Sequence, residues 1–339
     1  MTLKTKQHPV DKSNFQKVIQ EIPEQFLDSK PITKSVKLTR RNFDSLVVCG
    51  MGGSAMPYYL LEMCSNLVIP VFLHNNYGLP SKLTAKPLFF ISSFSGNTEE
   101  TISAFRAVIK KGYSAVGFSN GGQLQDLCKK HEIPHVYYQI QNPDFQPRCA
   151  LPLAFTGMYR VLAQNRLVSI NPKSIDRLAD FIQALDQKQI QNKARQLAGF
   201  LKKQTPVFYA PFHLRFTALI NKIKINENAK VPAFWNFYPE LNHNEMNGYQ
   251  NGDPKKFIIV SFQDNDQAPK NRQRARITNQ LLTNLNYNVM IVETQGQSIL
   301  EKVFYILYFG EWLSYYLAIS LNQDPTPVQM VEDFKKKLK

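Results

Sequence analysis

The sequence predicts an α/β protein with parallel sheets, arranged as two successive domains. Three observations carry that expectation. Short apolar runs alternate with helical patterns, as in βαβ units. The cycle occurs twice, once in each half of the chain. At 339 residues there is enough chain for two domains, each burying its own core.

Taken in order, strands are expected at 45–49 (SLVVC), 68–73 (VIPVFL), 87–92 (PLFFIS), 114–118 (SAVGF) and 135–139 (HVYYQ). Between 98 and 111, Ile102, Phe105, Val108 and Ile109 recur at helical spacing. A polar stretch around Asn171-Pro172 marks the junction, and a helical pattern over 173–203 leads into the second half. There, strands are expected at 206–210, 233–237, 257–262 and 288–292. A helix over 299–320 is apolar nearly all round, as expected of a buried element. Pro325 and Pro327 punctuate the chain before a last amphipathic helix carrying Val331, Phe334 and Leu338. The expected domains are 30–170 and 190–339.

Apolar content of 43% and charged content of 20% describe an ordinary globular chain. No apolar run reaches the roughly 18 residues needed to span a bilayer. The N-terminus, MTLKTKQHPVDKSNF, has neither an apolar core nor a cleavage site of a secretory signal. The cysteines at 49, 64, 128 and 149 form no CxxC pair and read as reduced residues of a cytoplasmic protein. The net charge of +15 attracts anions, but the basic residues are spread out and no nucleic-acid motif accompanies them. Neither a nucleic-acid nor a membrane partner is expected.

Two loops point to an anion. After the first strand comes Gly50-Met51-Gly52-Gly53-Ser54-Ala55, a formal match to the dinucleotide fingerprint. That reading also needs an acidic residue at the end of the next strand to hold a ribose. The next strand ends at His74-Asn75-Asn76, so NAD and FAD are discounted and no cofactor is expected. What remains is a glycine turn feeding a helix N-terminus, where backbone N–H groups bind anions. The bland alternative is a tight turn without a ligand.

The second loop, SSFSGNTEET at 92–101, lies between a buried strand and an amphipathic helix. Ser93, Ser95 and Thr98 offer hydroxyls, Gly96 frees the backbone, and Glu99-Glu100 suit the helix dipole. One hydroxyl alone would be an N-cap. Three of them beside Gly52, Gly53 and Ser54 fit a single phosphate better.

In the second half, Phe216, Leu219, Ile220 and Ile223 mark one helical face, and the same period places Glu227 on it. A carboxylate on an apolar face is costly without a partner or a task. Partial desolvation brings a carboxylic acid toward neutral pH, where a general base for a C–H proton works. The competing reading is a solvated glutamate at a frayed helix end.

GMGGSA and SSFSGNTEET resemble the sugar isomerase (SIS) domain. The resemblance extends through QPRCALP (146–152), NENAK (226–230), PELNHNEMNGY (239–249) and SYYLA…DPTPV (314–328). In that order these motifs are similar to the two-SIS-domain bifunctional phosphoglucose/phosphomannose isomerases. The resemblance implies two flavodoxin-like domains, each a parallel sheet in a three-layer sandwich. It implies interconversion of glucose 6-phosphate and fructose 6-phosphate, and with them mannose 6-phosphate, through a cis-enediol. It makes Glu227 the proton shuttle, His243 the ring opener, Arg148 the enediolate stabiliser and Lys302 an assistant at the sugar ring. It places mannose tolerance around Gln297-Ser298. It also implies a homodimer whose active site lies at the subunit interface, with His243 supplied by the neighbouring subunit. The aromatic run Phe234, Trp235, Phe237, Tyr238 suits such an interface and equally a core.

Three competing readings stay open at this point. Glu240, His243 and Glu245 are dense enough to suggest a cation, but HExxH and nearby cysteines are absent, so no metal is expected. In the reading without a metal, the two glutamates support His243. A non-catalytic phosphosugar-binding SIS protein would not need Glu227. An amidotransferase-type hexosamine synthase would need an N-terminal cysteine, and residue 2 is Thr.

Overall fold

The computed structural model describes residues 7–338 except 34, 35, 37, 39–41, 65 and 170–172. The expected junction at Asn171-Pro172 lies outside the described residues. The chain forms two compact units: Glu21–Asp180, and Met1–Gln20 together with Phe181–Lys339. A short first helix, α1 (Phe15–Gln20), belongs to the second of these. It packs on that unit's long helix, where the Tyr315 hydroxyl donates to Gln16 Oε1 at 3.4 Å.

The first unit comprises α2 (Ile22–Thr33), β1 (Ser45–Cys49), α3 (Met56–Cys64), β2 (Val71–His74), β3 (Pro87–Ser92), α4 (Glu99–Lys110), β4 (Ser114–Ser119), α5 (Gly122–Lys130), β5 (His135–Tyr137) and α6 (Leu151–Gln164). Its five strands are all parallel, in the order β2-β1-β3-β4-β5. Every residue of β1 and β3 is buried, because helices cover both faces. This is why SLVVC and PLFFIS are nearly continuous apolar runs rather than alternating ones. On one face, Ile102, Phe105 and Val108 of α4 and Leu124 of α5 meet Val47, Phe89 and Ile91. On the other, α2, α3 and α6 pack together. The strand order reverses between β1 and β3, and the crevice beyond the carboxyl ends at such a reversal is where open α/β sheets bind ligands.

After α7 (Lys173–Ala184), the second unit continues with α8 (Gln187–Leu201), β6 (Thr205–Pro211), α9 (Arg215–Lys224), β7 (Phe234–Tyr238), β8 (Phe257–Gln263), α10 (Pro269–Asn284), β9 (Asn288–Glu293), α11 (Ile299–Ser320) and α12 (Gln329–Leu338). Its sheet is parallel in the order β7-β6-β8-β9, the same winding as the first four strands of the other unit without a fifth. Ala275 and Leu282 of α10 close one face over Val207, Tyr209 and Ile259. α9 lies against β6 and on α11, and α11 also packs on α8.

Several boundaries differ from expectation for physical reasons. The strand expected at 68–73 starts at Val71, because Pro70 has no N–H to give. Val68 instead donates to Leu167 O at 3.1 Å. The pattern over 173–203 is two helices. Asp186 breaks it by accepting the Gln189 N–H at 2.9 Å as the N-cap of α8. The last amphipathic helix forms, but none of its residues is buried.

Candidate active site

In the first unit, the two loops and the arginine come together. Beyond β1, a 3-10 turn over Gly52–Ser54 leads into α3, with Gly52 at φ +51°. A Cβ on Gly50 would lie 2.8 Å from Ser54 O and 3.0 Å from Ser92 O, so the turn is closed against β3. Ser54 Oγ accepts the N–H of Phe94 at 2.9 Å, which ties the glycine turn to the serine loop. Ser93 is fully buried and donates to Thr98 Oγ1 at 2.9 Å. Thr98 occupies the N-cap position of α4 without a side-chain capping bond, so its hydroxyl is not spent on the helix. Ser95 Oγ accepts the Asn97 N–H at 3.2 Å and is exposed. Gly96, at φ +71°, admits no Cβ because the Gly121 carbonyl occupies that space.

Arg148 sits in the 3-10 turn Pro147–Ala150 and is 1% exposed. Its turn packs against the glycine loop because Gly53 has no side chain: a Cβ there would stand 2.7 Å from the Arg148 backbone nitrogen. Its Nη1 donates to Gln146 Oε1 at 3.2 Å. Two helix N-termini, glycine-freed backbone and the hydroxyls of Ser54, Ser93, Ser95 and Thr98 thus lie together at the β1/β3 reversal, with the backbone of the Arg148 turn packed against Gly53. That donor set matches a phosphate or another compact anion.

Glu227 lies in the second unit, and its setting differs from the one the hydropathy period predicts. The helix does not fray. It widens into a π turn over Ile225–Ala229, a feature often found at functional sites. The fully buried side of α9 is not the Phe216–Leu219–Ile223 stripe but Thr217, Ala218, Ile220, Asn221 and Lys224. Glu227 is half-buried, on the margin of that side. Beyond it, Lys230 takes the left-handed conformation, with φ +59°, and ends the turn.

His243 closes the 3-10 turn Glu240–His243 and is exposed, and no described residue bonds to its side chain. The neighbouring glutamates do not support it as expected. Glu240 Oε1 accepts from Asn244 Nδ2 at 2.7 Å. Glu245 turns inward to accept from the Tyr209 hydroxyl and Asn236 Nδ2, each at 2.5 Å. There it lines a cavity of about 540 Å³ with Trp235, Tyr249 and Tyr287. Tyr209 in turn lies 2.6 Å from Tyr249, and burial first, then these neighbours, pushes its phenol up.

Lys302 is not brought to Glu227. It sits in the first turn of α11, which is capped by Ser298 and Glu301. Gln297 and Ser298 spend their N–H groups on Glu301 Oε2 at 2.7 and 2.9 Å. The Lys302 ammonium is buried between Asp264 Oδ1 at 2.9 Å and Asp266 Oδ2 at 2.6 Å. Asp264 also takes His213 Nε2 at 2.9 Å. Burial opposes the charge on Lys302, but the two carboxylates outweigh it and raise its pKa. Ser314, which touches the Glu227 turn, lies twelve residues further along α11, about 18 Å of helix. His213 and Asp264 carry no local sequence signal. Each does follow a central strand of the second sheet directly, at the carboxyl ends where polar clusters collect.

The four cysteines are free and buried. Burial pushes the Cys49 and Cys128 thiols up to about 12, far from a nucleophilic thiolate. Among the described residues no helix is long and apolar enough to cross a membrane.

The chain is a doubly wound α/β protein whose first sheet gathers a glycine turn and a serine loop at its strand-order reversal. Residues 190–338 match the bacterial phospho-glucose isomerase C-terminal SIS domain. A bifunctional phosphoglucose/phosphomannose isomerase of Caldicellulosiruptor bescii is 30% identical over 94% of this chain and 97% of its own length. The enzyme of the same name from Thermoplasma acidophilum is 30% identical over 87% of this chain and 90% of its own. The chain belongs to the bifunctional phosphoglucose/phosphomannose isomerase family. Its fold also matches the C-terminal domain of glucosamine-fructose-6-phosphate aminotransferase from Francisella tularensis. The TM-score there is 0.72, at 15% identity, over 96% of this chain and 99% of that one.

Proposed function

We propose that this protein is an aldose–ketose isomerase that interconverts glucose 6-phosphate and fructose 6-phosphate and also accepts mannose 6-phosphate. The observation that carries the reading is the cradle, in which Gly52, Gly53, Ser54, Ser93, Ser95, Gly96 and Thr98 surround one crevice beside a fully buried Arg148. The domain limits 30–170 and 190–339 are part of the proposal, with the phosphate held by the first domain.

The chemistry then divides by residue. Ring opening needs an acid–base group at the ring oxygen, which suits a histidine. The exposed His243 of a second copy of the chain fills that role. Glu227 takes the C2 proton of the open-chain aldose, leaving a cis-enediolate, and returns a proton to C1. Arg148 supports the enediolate oxygen as its charge develops. Lys302, tied to Asp264 and Asp266, is left with a structural part. The proposed dimer would cover the exposed aromatics Phe212 and Phe234 beside the edge strand β7. Free buried cysteines accord with residence in the cytoplasm.

The test is the purified protein with fructose 6-phosphate, assayed for both aldoses, beside Glu227→Gln. The wild type should produce both, and the variant should lose about 10²–10⁴ in kcat, the usual worth of a general base. An inactive wild type or a fully active variant overturns the reading.

A further inference from the structure

The side of α9 that faces α11 is polar where an ordinary helix seam would be apolar. Lys224 and Glu311 form an ion pair with both side chains buried. One turn on, Asn228 is fully buried and donates to Ser314 Oγ at 2.9 Å. Ser314 passes its own hydroxyl hydrogen back to the Glu311 carbonyl at 3.0 Å. Asn221 fills the space that a side chain on Gly310 would need, so the two helices approach closely only with glycine there. Three of these contacts cross between one stretch of α9, continued by the π turn, and one stretch of α11, and the fourth lies within α11.

Stability is a poor explanation for this seam. A buried ion pair rarely outperforms apolar residues of the same volume, and its best-attested use is to fix one register. The second carboxylate oxygen of Glu311 has no hydrogen-bond partner among the described residues, a further cost. What the seam does fix is the turn carrying Glu227. Lys224 lies three residues before the base and Asn228 one after it, so both flanks are anchored to α11. Asn226 Nδ2 donates to Val231 O at 2.8 Å, and Lys230 Nζ to Asn228 O at 3.0 Å. The residues around Glu227 are thus held by their side chains, and Glu227 itself is half-buried.

We propose that Lys224, Glu311, Asn228 and Ser314 are positioning residues that set the register of α9 on α11 and thereby aim the Glu227 carboxylate. This rests on the reading of Glu227 as the proton shuttle. A slip of α9 by one residue would break both ties and swing Glu227 by about 100° around the helix. A base misplaced by about 1 Å loses rate on the order of 10²-fold, while substrate binding through its phosphate need not change.

The experiment is steady-state isomerisation of fructose 6-phosphate by the full chain, with thermal melts. The variants are Ser314→Ala, Lys224→Met/Glu311→Leu, Glu227→Gln and Glu227→Gln/Ser314→Ala. Ser314→Ala and the apolar pair should lower kcat about 10-fold or more, with KM within about 2-fold, the pattern of an interaction that acts only on the chemical step. On the residual rate of Glu227→Gln, Ser314→Ala should have no further effect, because it acts through that residue. Wild-type kcat in both Ser314→Ala and the apolar pair overturns the inference, as does a further loss in the double variant. If the apolar pair fails to fold, Ser314→Ala decides alone. An active wild type with a dead Glu227→Gln and unaffected seam variants leaves the isomerase reading standing and removes only the positioning. An inactive wild type removes both.

Discussion

Ser54 Oγ accepts the backbone N–H of Phe94 at 2.9 Å, joining two loops that are 40 residues apart in the chain. The first follows β1 and the second β3, so this bond spans the strand-order reversal at which the crevice forms. Removing the hydroxyl leaves the part-buried N–H of Phe94 without its acceptor, a cost of about 1–3 kcal/mol. The serine loop would then lose its fixed distance from the glycine turn. Ser54→Ala should therefore raise KM for fructose 6-phosphate about 10-fold while kcat changes less, and should weaken competition by inorganic phosphate. Unchanged KM and unchanged phosphate competition would show that the two loops hold their spacing without this bond.

Lys302 leads to a prediction of the opposite kind. Its ammonium is the main counter-charge for Asp264, which is 4% exposed. Removing one partner of a buried pair typically costs about 3–5 kcal/mol. Lys302→Met should lose stability of that order in urea unfolding. At temperatures where it stays folded, it should keep KM and kcat within about 2-fold, because about 18 Å of α11 separates it from the Glu227 turn. A large loss of kcat in the folded variant would return Lys302 to the chemistry.

His135 gives the pH dependence. Burial pushes its pKa from 6.5 down to about 4, and its Nε2 lies 2.8 Å from the Ser119 hydroxyl. The folded state thus holds it neutral in a range where the unfolded chain binds a proton. Its contribution is fully present above about pH 6.5 and is lost as pH falls toward about 4, with a slope of at most about 1.4 kcal/mol per unit. Denaturant titrations at several pH values should show this slope in the wild type and a shallower one in His135→Asn. Equal slopes would mean that His135 titrates normally.

What was legible in the sequence follows what hydropathy can see. β1 and β3 were bounded to the residue because both faces are buried and the apolar run stops where burial stops. The cradle was legible because glycine and hydroxyl residues crowd into two short stretches that each follow a strand. The face of α9 was misread because its buried side carries Thr217, Asn221 and Lys224, which hydropathy assigns to solvent. Glu311, the partner of Lys224, and Ser314, the partner of Asn228, lie more than 80 residues away, so nothing local reveals the pairing. The pairing of Asp264 with His213 and Lys302 was hidden in the same way. Glu240 and Glu245 were adjacent to His243 in the chain, yet the 3-10 turns that follow β7 send each to a different neighbour.

His243 and Glu227 supply the last prediction. His243 is exposed and its side chain is unbonded within its own chain among the described residues, which fits a side chain that works in another copy. If so, Glu227→Gln and His243→Ala each inactivate a homodimer, but they damage different contributions to each site. In a mixed dimer, one site combines the intact Glu227 of one subunit with the intact His243 of the other, and the second site lacks both. An isologous two-fold interface requires this reciprocity. Co-refolding the two inactive variants in equal amounts makes about half of the dimers mixed, each with one working site. Activity should recover to about a quarter of wild type and should depend on the mixing ratio with a maximum at equal amounts. No recovery from efficiently exchanged subunits would mean that Glu227 and His243 serve the same chain.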